Sequence, residues 1–378
     1  MEICGIVAEY NPFHNGHMYH LQQARKLSGC DIVIAVMSGN FVQRGEPAVI
    51  DKWTRAETAV RNGADVVIEL PYIYATQSAS AFARGSISLL KLAGVSSVCF
   101  GSECGNLENL REIAETPVNP DHLHESLATG MSFPKAYSLL TSEVMPNDIL
   151  AISYLKELAG TDIKPIAVQR TSGYNDPSIV ENASALAIRK ALKEGIPLAD
   201  STPMEQDLLS EEPVFMDLYY PYLRTLLLTS PRERLNETFL FNEGIEAHLC
   251  NNAKTEESWT GFLNACTNWR YTASRIRRCC LQAMNQITKE SVKRLTPLDT
   301  LRILAFNENG RRWLHDMRKQ DVKIASRFAD VPWLYRRMEY NTTLLYTSVM
   351  PEERRNRLLD LEIKGAHYIK NEGESGNE

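Results

Sequence analysis

The chain opens Ile3-Cys4-Gly5-Ile6-Val7-Ala8-Glu9-Tyr10-Asn11-Pro12-Phe13-His14-Asn15-Gly16-His17, an apolar run followed by a turn that contains two histidines. The run Ile3–Ala8 is too short for a helix and rich in Val and Ile, which predicts a strand. Beyond the Asn-Pro turn a helix is predicted over residues 17–27, stopped at Ser28-Gly29 where glycine supplies a left-handed residue. His14 and His17 are three apart at that helix start, so they share a face. Gly16 between them carries no Cβ to keep a ligand off the backbone. Helix N-terminal amides add partial positive charge there, and the combination suits a phosphate.

Working outward, Val- and Ile-rich runs recur at 31–37, 65–70 and 97–100, with a later one at 164–170. Helical patterns alternate with them at 52–62 after the N-cap residue Asp51, and at 78–92, 133–142, 148–158 and 183–193. That alternation predicts a parallel sheet covered on both faces, an α/β, Rossmann-like domain over residues 1–195. Ligands of such sheets bind beyond the carboxyl ends of the strands, where the histidine turn falls. Residues 196–213 are rich in Pro, Ser and acid and read as a linker. Residues 214–378 read as an all-α domain, with helices predicted at 214–228, 242–251, 259–264, 272–288, 297–306, 310–319 and 351–361.

The bulk properties fit this division. At 44% hydrophobic and 23% charged over 378 residues, the composition is that of a globular protein with room for two cores. No run approaches the roughly 20 apolar residues of a membrane span, and the N-terminus lacks the basic region of a leader, so a cytoplasmic protein is expected. Eight cysteines are scattered without zinc spacing, so reduced thiols and no protein-bound metal are expected. The net charge of −6 is uneven: residues 254–370 hold 22 Lys and Arg against 13 Asp and Glu, a surplus of +9, which leaves −15 for the remainder. A polyanion is expected to dock on the basic part, though arginines that merely solvate helix faces produce the same count.

The string from Val7 to His17, Met37-Ser38-Gly39-Asn40-Phe41-Val42-Gln43-Arg44-Gly45-Glu46-Pro47, and Asp51-Lys52-Trp53 with Arg55-Ala56-Glu57 resembles the bacterial tRNA(Met) cytidine acetate ligases. The resemblance is continuous over roughly the first 190 residues and looser beyond, where Trp269-Arg270-Tyr271-Thr272, Arg275-Ile276 and Arg278 match best. It implies an enzyme that uses ATP and acetate to form acetyl-adenylate, releasing pyrophosphate. The acetyl group then passes to N4 of the wobble cytidine of elongator tRNA(Met). Mg²⁺ is expected to accompany ATP, held by phosphate oxygens and water.

Site expectations follow from both sources. His14 and His17 stabilise charge on the α-phosphate during in-line attack, and the run from Val7 to His17 with Met18, Tyr19 and His20 lines the nucleotide. Gln43, Arg44, Lys52 and Arg55 form a cluster of donors suited to acetate or the outer phosphates, with Lys52 and Arg55 on one helix face. The long loop at 37–47 supports a ligand role, against a solvated helix terminus. By resemblance Gly101, Asn147, Arg170 and Arg189 contact ATP. A plain turn explains Gly101 nearly as well, and a helix N-cap explains Asn147. Arg270, Tyr271, Arg275, Arg277 and Arg278 interleave charge with an aromatic face, as a tRNA surface does; in the simpler reading Tyr271 and Ile276 face a helical core. Two departures stand out: Leu186 replaces a hydroxyl residue of the second phosphate motif, and Asn175 replaces a histidine. A transferase acting on a small phosphorylated metabolite, or a non-catalytic ATP-binding scaffold, would share the first domain.

Overall fold

The structure is a computed structural model and describes residues 1–116, 145–170 and 183–370. The helix expected at 133–142 and the Asn175 departure lie outside the described residues. Five strands form the parallel part of one sheet: β1 (Ile3–Ala8), β2 (Ile32–Ser38), β3 (Val66–Leu70), β4 (Ser97–Ser102) and β5 (Lys164–Gln169). Three further strands, β6 (Thr300–Phe306), β7 (Lys323–Ala325) and β8 (His367–Tyr368), come from the C-terminal region. The order is β5-β4-β1-β2-β3-β6-β7, with β8 also on β6. Within it β1 pairs in parallel with both β2 and β4, while β6 runs antiparallel to β3. Strand order therefore reverses at β1, which opens a crevice above the ends of β1 and β4.

All seven residues of β2 are buried, as a Val/Ile-rich central strand covered on both faces requires. Helices α1 (Asn15–Ser28), α2 (Lys52–Arg61), α3 (Ala79–Leu92), α4 (Pro146–Leu158) and α5 (Ala185–Glu194) flank the sheet. Their starts are written locally: Asp51 accepts the amides of Trp53 and Thr54 at 2.9 and 3.0 Å, and Ser184 accepts that of Ala187. Gly29 ends α1 in the left-handed region.

The C-terminal region is mainly helical, as expected: α6 (Met216–Thr229), α7 (Ile245–Thr255), α8 (Trp259–Cys266), α9 (Ala273–Met284), α10 (Glu308–Lys319), α11 (Trp333–Thr347) and α12 (Glu352–Ile363). It is not all-α, however. The segment expected as a helix at 297–306 contains β6, which supplies antiparallel partners to β3, Val66 opposite Phe306 and Ile68 opposite Ile303. Residues 196–213 also differ from a loose linker: Leu198, Met204 and Leu208 are buried and Glu205–Ser210 is helical.

Candidate functional site

In the turn between β1 and α1, Tyr10 has φ +49°, left-handed for a bulky residue. The Asn11-Pro12 peptide is cis. His14 is the N-cap of α1; its Nδ1 accepts the Gly16 amide at 3.0 Å, and the His14 amide donates to His17 Nδ1 at 3.2 Å. Both Nδ1 atoms are thus acceptors, so in each neutral ring the proton sits on Nε2. Gly16 is required for a local reason: a Cβ there would lie 2.8 Å from His14 Cε1. The segment after α5 clamps the turn from behind, with Thr202 Oγ1 donating to the Phe13 carbonyl at 2.5 Å. Asn15 donates through its side chain to the Asp200 carbonyl at 2.9 Å. No sequence signal marked that clamp, because its bonds run to backbone carbonyls.

A cleft open to solvent lies at the strand-order reversal. Of the expected residues, Val7, Ala8, Glu9, Tyr10, His14, Gly16, His17, Tyr19, His20, Gln43, Arg44, Gly101, Asn147 and Arg170 line it. The structure adds Phe82, Phe100, Leu150, Tyr154, Val168 and Gln169 as walls; those positions read only as buried faces of strands and helices. Asn11, Pro12, Phe13, Asn15 and Met18 shape the turn without lining the cleft. Asn147 is not an N-cap, since Met145 holds that position; its Nδ2 donates to Glu103 Oε1 at 2.5 Å, which anchors α4 to the end of β4.

Burial holds all three imidazoles neutral. His14 falls to about 3, by burial and then by the charges of Arg170 and Arg189. His20 falls to about 4, by burial and Arg170, and His17 falls well below its ordinary value, by burial and then His14. Positive charge in the cleft therefore comes from arginines, and the histidines offer neutral N–H donors. Glu9 is pushed up by burial, against the pull of Arg44 and the Gln43 amide.

Arg189 does not line the cleft. It donates to the Asn11 carbonyl at 2.8 Å and lies 3.7 Å from Glu46, so it braces the turn. Leu186 is exposed on α5. Lys52 and Arg55 share a face of α2, as their spacing predicted, but that face points inward. Lys52 Nζ lies 2.6 Å from Glu69 and 2.8 Å from Glu362. Arg55 donates to the carbonyls of Ile50, Glu9, Ser38 and Gly39. Neither reaches the cleft, so the expectation that they act on phosphate or acetate is corrected: their charge and donors are consumed by buried partners. Arg55 instead fixes the ends of β1 and β2, including the peptide of Glu9.

The expected tRNA residues separate into two groups. Tyr271 is buried and donates to the Glu243 carbonyl at 2.9 Å, so its ring is not open for stacking on a base. Arg270 and Arg275 lie over that ring and pair with Glu243 at 3.8 and 3.2 Å. Arg277 pairs with Glu46 at 3.0 Å and Arg278 donates to the Gln43 carbonyl at 3.3 Å. Burial lowers Arg278 to about 10. These two arginines brace the 39–47 loop. Gly45, at φ +79°, admits that contact, since a Cβ would lie 2.6 Å from Arg277 Cβ.

A strand-order crevice, a helix N-terminus presenting two neutral imidazole donors, and arginines beside them define a nucleotide-binding site of the nucleotidyltransferase class. The model of the HIGH nucleotidyl transferase family matches residues 1–360. The tRNA(Met) cytidine acetate ligase of Limosilactobacillus reuteri is 41% identical over 85% of this chain and 88% of its own. That of Oceanobacillus iheyensis is 35% identical over 98% and 100%. Thermotoga maritima TmcAL superimposes with a TM-score of 0.88 in its apo form and 0.86 when bound with alpha-thio ATP, at 34% identity over 98% of this chain and 100% of that one. The chain belongs to the HIGH nucleotidyl transferase family and, within it, to the tRNA(Met) cytidine acetate ligases.

Proposed function

We propose that this protein activates acetate with ATP as acetyl-adenylate, releasing pyrophosphate, and transfers the acetyl group to N4 of the wobble cytidine of elongator tRNA(Met). The observation that carries this reading is the pair of Nδ1 acceptor bonds at His14 and His17, which leaves two Nε2–H donors at a helix N-terminus inside the cleft. Such donors stabilise negative charge that builds on an α-phosphate when acetate attacks and pyrophosphate departs. Arg170 and Arg44 supply the charge that draws the anions in. Gly101 and Asn147 border the side toward β4 and α4, where adenosine lies in this reading. The alpha-thio ATP complex of the Thermotoga relative supports the nucleotide assignment.

Mg²⁺ enters with ATP. Glu9 is the one carboxylate among the described lining residues, and no group of three or more His, Cys, Asp or Glu among the described residues suits a metal ion. In this reading the ion's ligands are phosphate and water oxygens. Residues 1–195 carry the activation chemistry, 196–213 brace it, and 214–378 bind the tRNA through Arg270, just before α9, and Arg275 in its first turn. No helix among the described residues is long and apolar enough to cross a membrane; we place the enzyme in the cytoplasm, with ATP and tRNA.

The test is acetate-dependent pyrophosphate–ATP exchange, followed by mass analysis of the tRNA anticodon loop after incubation with ATP and acetate. Exchange together with acetylcytidine is the expected result. Transfer of the nucleotide to a phosphorylated metabolite, with no acetate dependence, would overturn the reading.

A further inference from the structure

The cleft has two ends, set by the sheet. Toward β4 and β5 it is walled by Phe100, Gly101 and Asn147; toward β2 it ends at Glu9, Gln43 and Arg44. Glu9 poses a physical problem there. Its carboxylate stands in a site that must admit a polyphosphate and acetate, and it repels both. It does not serve the first half-reaction, and a chemical use for it lies in the second.

We propose that Glu9 is the general base that accepts the proton of the attacking amine when the acetyl group is transferred. This inference rests on the acetate-ligase reading above. The amine nitrogen uses its lone pair to bond the acetyl carbonyl carbon, whose π electrons move to oxygen. Glu9 takes the N–H proton from the resulting ammonium. The carbonyl re-forms as the bond from carbon to the phosphate oxygen breaks, and AMP leaves with that electron pair; Glu9 then gives its proton to water. A base of this kind contributes a factor of roughly 10² to 10⁴ when its proton affinity lies near the working pH. The upward pull of burial on Glu9 acts in that direction.

The geometry prepares Glu9 for this step. Its carbonyl is gripped by Arg55 Nη1 at 2.6 Å, and its Oε1 accepts the Gln43 amide at 2.8 Å. The carbonyl of Gln43 in turn accepts from Arg278 on α9. The carboxylate therefore stands where the cleft meets the helix whose exposed start we assign to RNA.

Two half-reactions allow a clean test. Glu9→Gln keeps an oxygen that accepts the Gln43 amide but removes the base; Glu9→Asp keeps the acid on a shorter arm. The first half is read by acetate-dependent pyrophosphate–ATP exchange, the second by single-turnover transfer from synthetic acetyl-adenylate to tRNA at several pH values. Glu9→Gln should lose transfer by about 10² or more relative to its own rate of exchange, and lose the acid limb of the transfer profile. Glu9→Asp should recover part of the rate and restore that limb. Equal losses in both halves would assign Glu9 to the loop or to bound ATP and overturn the proposal, as would wild-type transfer in Glu9→Gln. A wild-type enzyme without exchange would overturn the acetate-ligase reading and carry this inference with it.

Discussion

His17 donates into the cleft through Nε2 because its Nδ1 is already taken by the His14 amide. Its neutrality is a consequence of burial beside His14, Arg170 and His20, so it arrives at the reaction as a fixed, uncharged N–H dipole. Catalysis by such a group is electrostatic, and removing one preorganised donor costs about 10² to 10³ in rate. His17→Ala should therefore lower acetate-dependent pyrophosphate–ATP exchange by at least that factor while leaving tRNA affinity within about twofold, measured by filter binding at fixed salt. A matched fall in tRNA affinity would mean that the ring supports the molecule at large. Asn at the same position offers an amide N–H of different reach and should recover little.

At the scale of elements, α9 does two jobs along its length. Its first turn carries Arg275, which with Arg270 of the preceding turn flanks Tyr271, while Arg277 and Arg278 face the 39–47 loop. Arg270→Ala with Arg275→Ala should weaken tRNA binding and reduce its salt slope by about 1 to 2, with exchange unchanged. Arg278→Ala should do the converse, raising the apparent KM for ATP and acetate through loss of the brace on Gln43. If both variants change the salt slope alike, the helix acts as one RNA surface. Sequence reading reached part of this. The histidine turn, the five parallel strands and the helix start at Asp51 were legible because their causes are local: period, cap and turn chemistry. The fates of Lys52 and Arg278 were not, because their partners are set by tertiary packing; Glu362 is 310 residues from Lys52 and Gln43 is 235 from Arg278. Strand β6 was misread for a related reason. Leu301, Arg302, Leu304 and Ala305 favour helix by intrinsic preference, and an arginine at a buried strand position hides the alternation; pairing with β3 overrides both. The helix Trp333–Thr347, with its Thr and Tyr content, gave no clear period at all.

Across the whole molecule, the return of the C-terminal chain to the sheet is secured by a buried cluster of charges. Lys52 and Arg302 share Glu69 and Glu362, with Arg302 Nη1 2.6 Å from Glu69 and 2.8 Å from Glu362. Two cations thus meet two anions beneath β3 and β6. A fifth group, Glu339 of α11, accepts the Tyr72 amide at 2.7 Å. Burial, then the charge of Glu69, raises its carboxyl to about 8, against the opposing pull of Lys52 and Arg302. At neutral pH it is therefore largely protonated, and the cluster is balanced. The sign of the pH effect follows. An acid with its folded pKa raised above the unfolded value of 4.5 keeps its proton in the folded state while the unfolded chain releases it. Its contribution to stability is therefore full below about 4.5 and is lost progressively as pH rises toward 8. Glu339→Gln preserves an acceptor for the Tyr72 amide and cannot ionise. The stability of this variant relative to wild type, read from urea midpoints at constant m-value, should rise as pH is raised through that window and level off above it. A gap that stays constant from pH 5 to pH 9 would show that Glu339 ionises in the folded protein as freely as in the unfolded chain, and the clasp would then carry an excess negative charge.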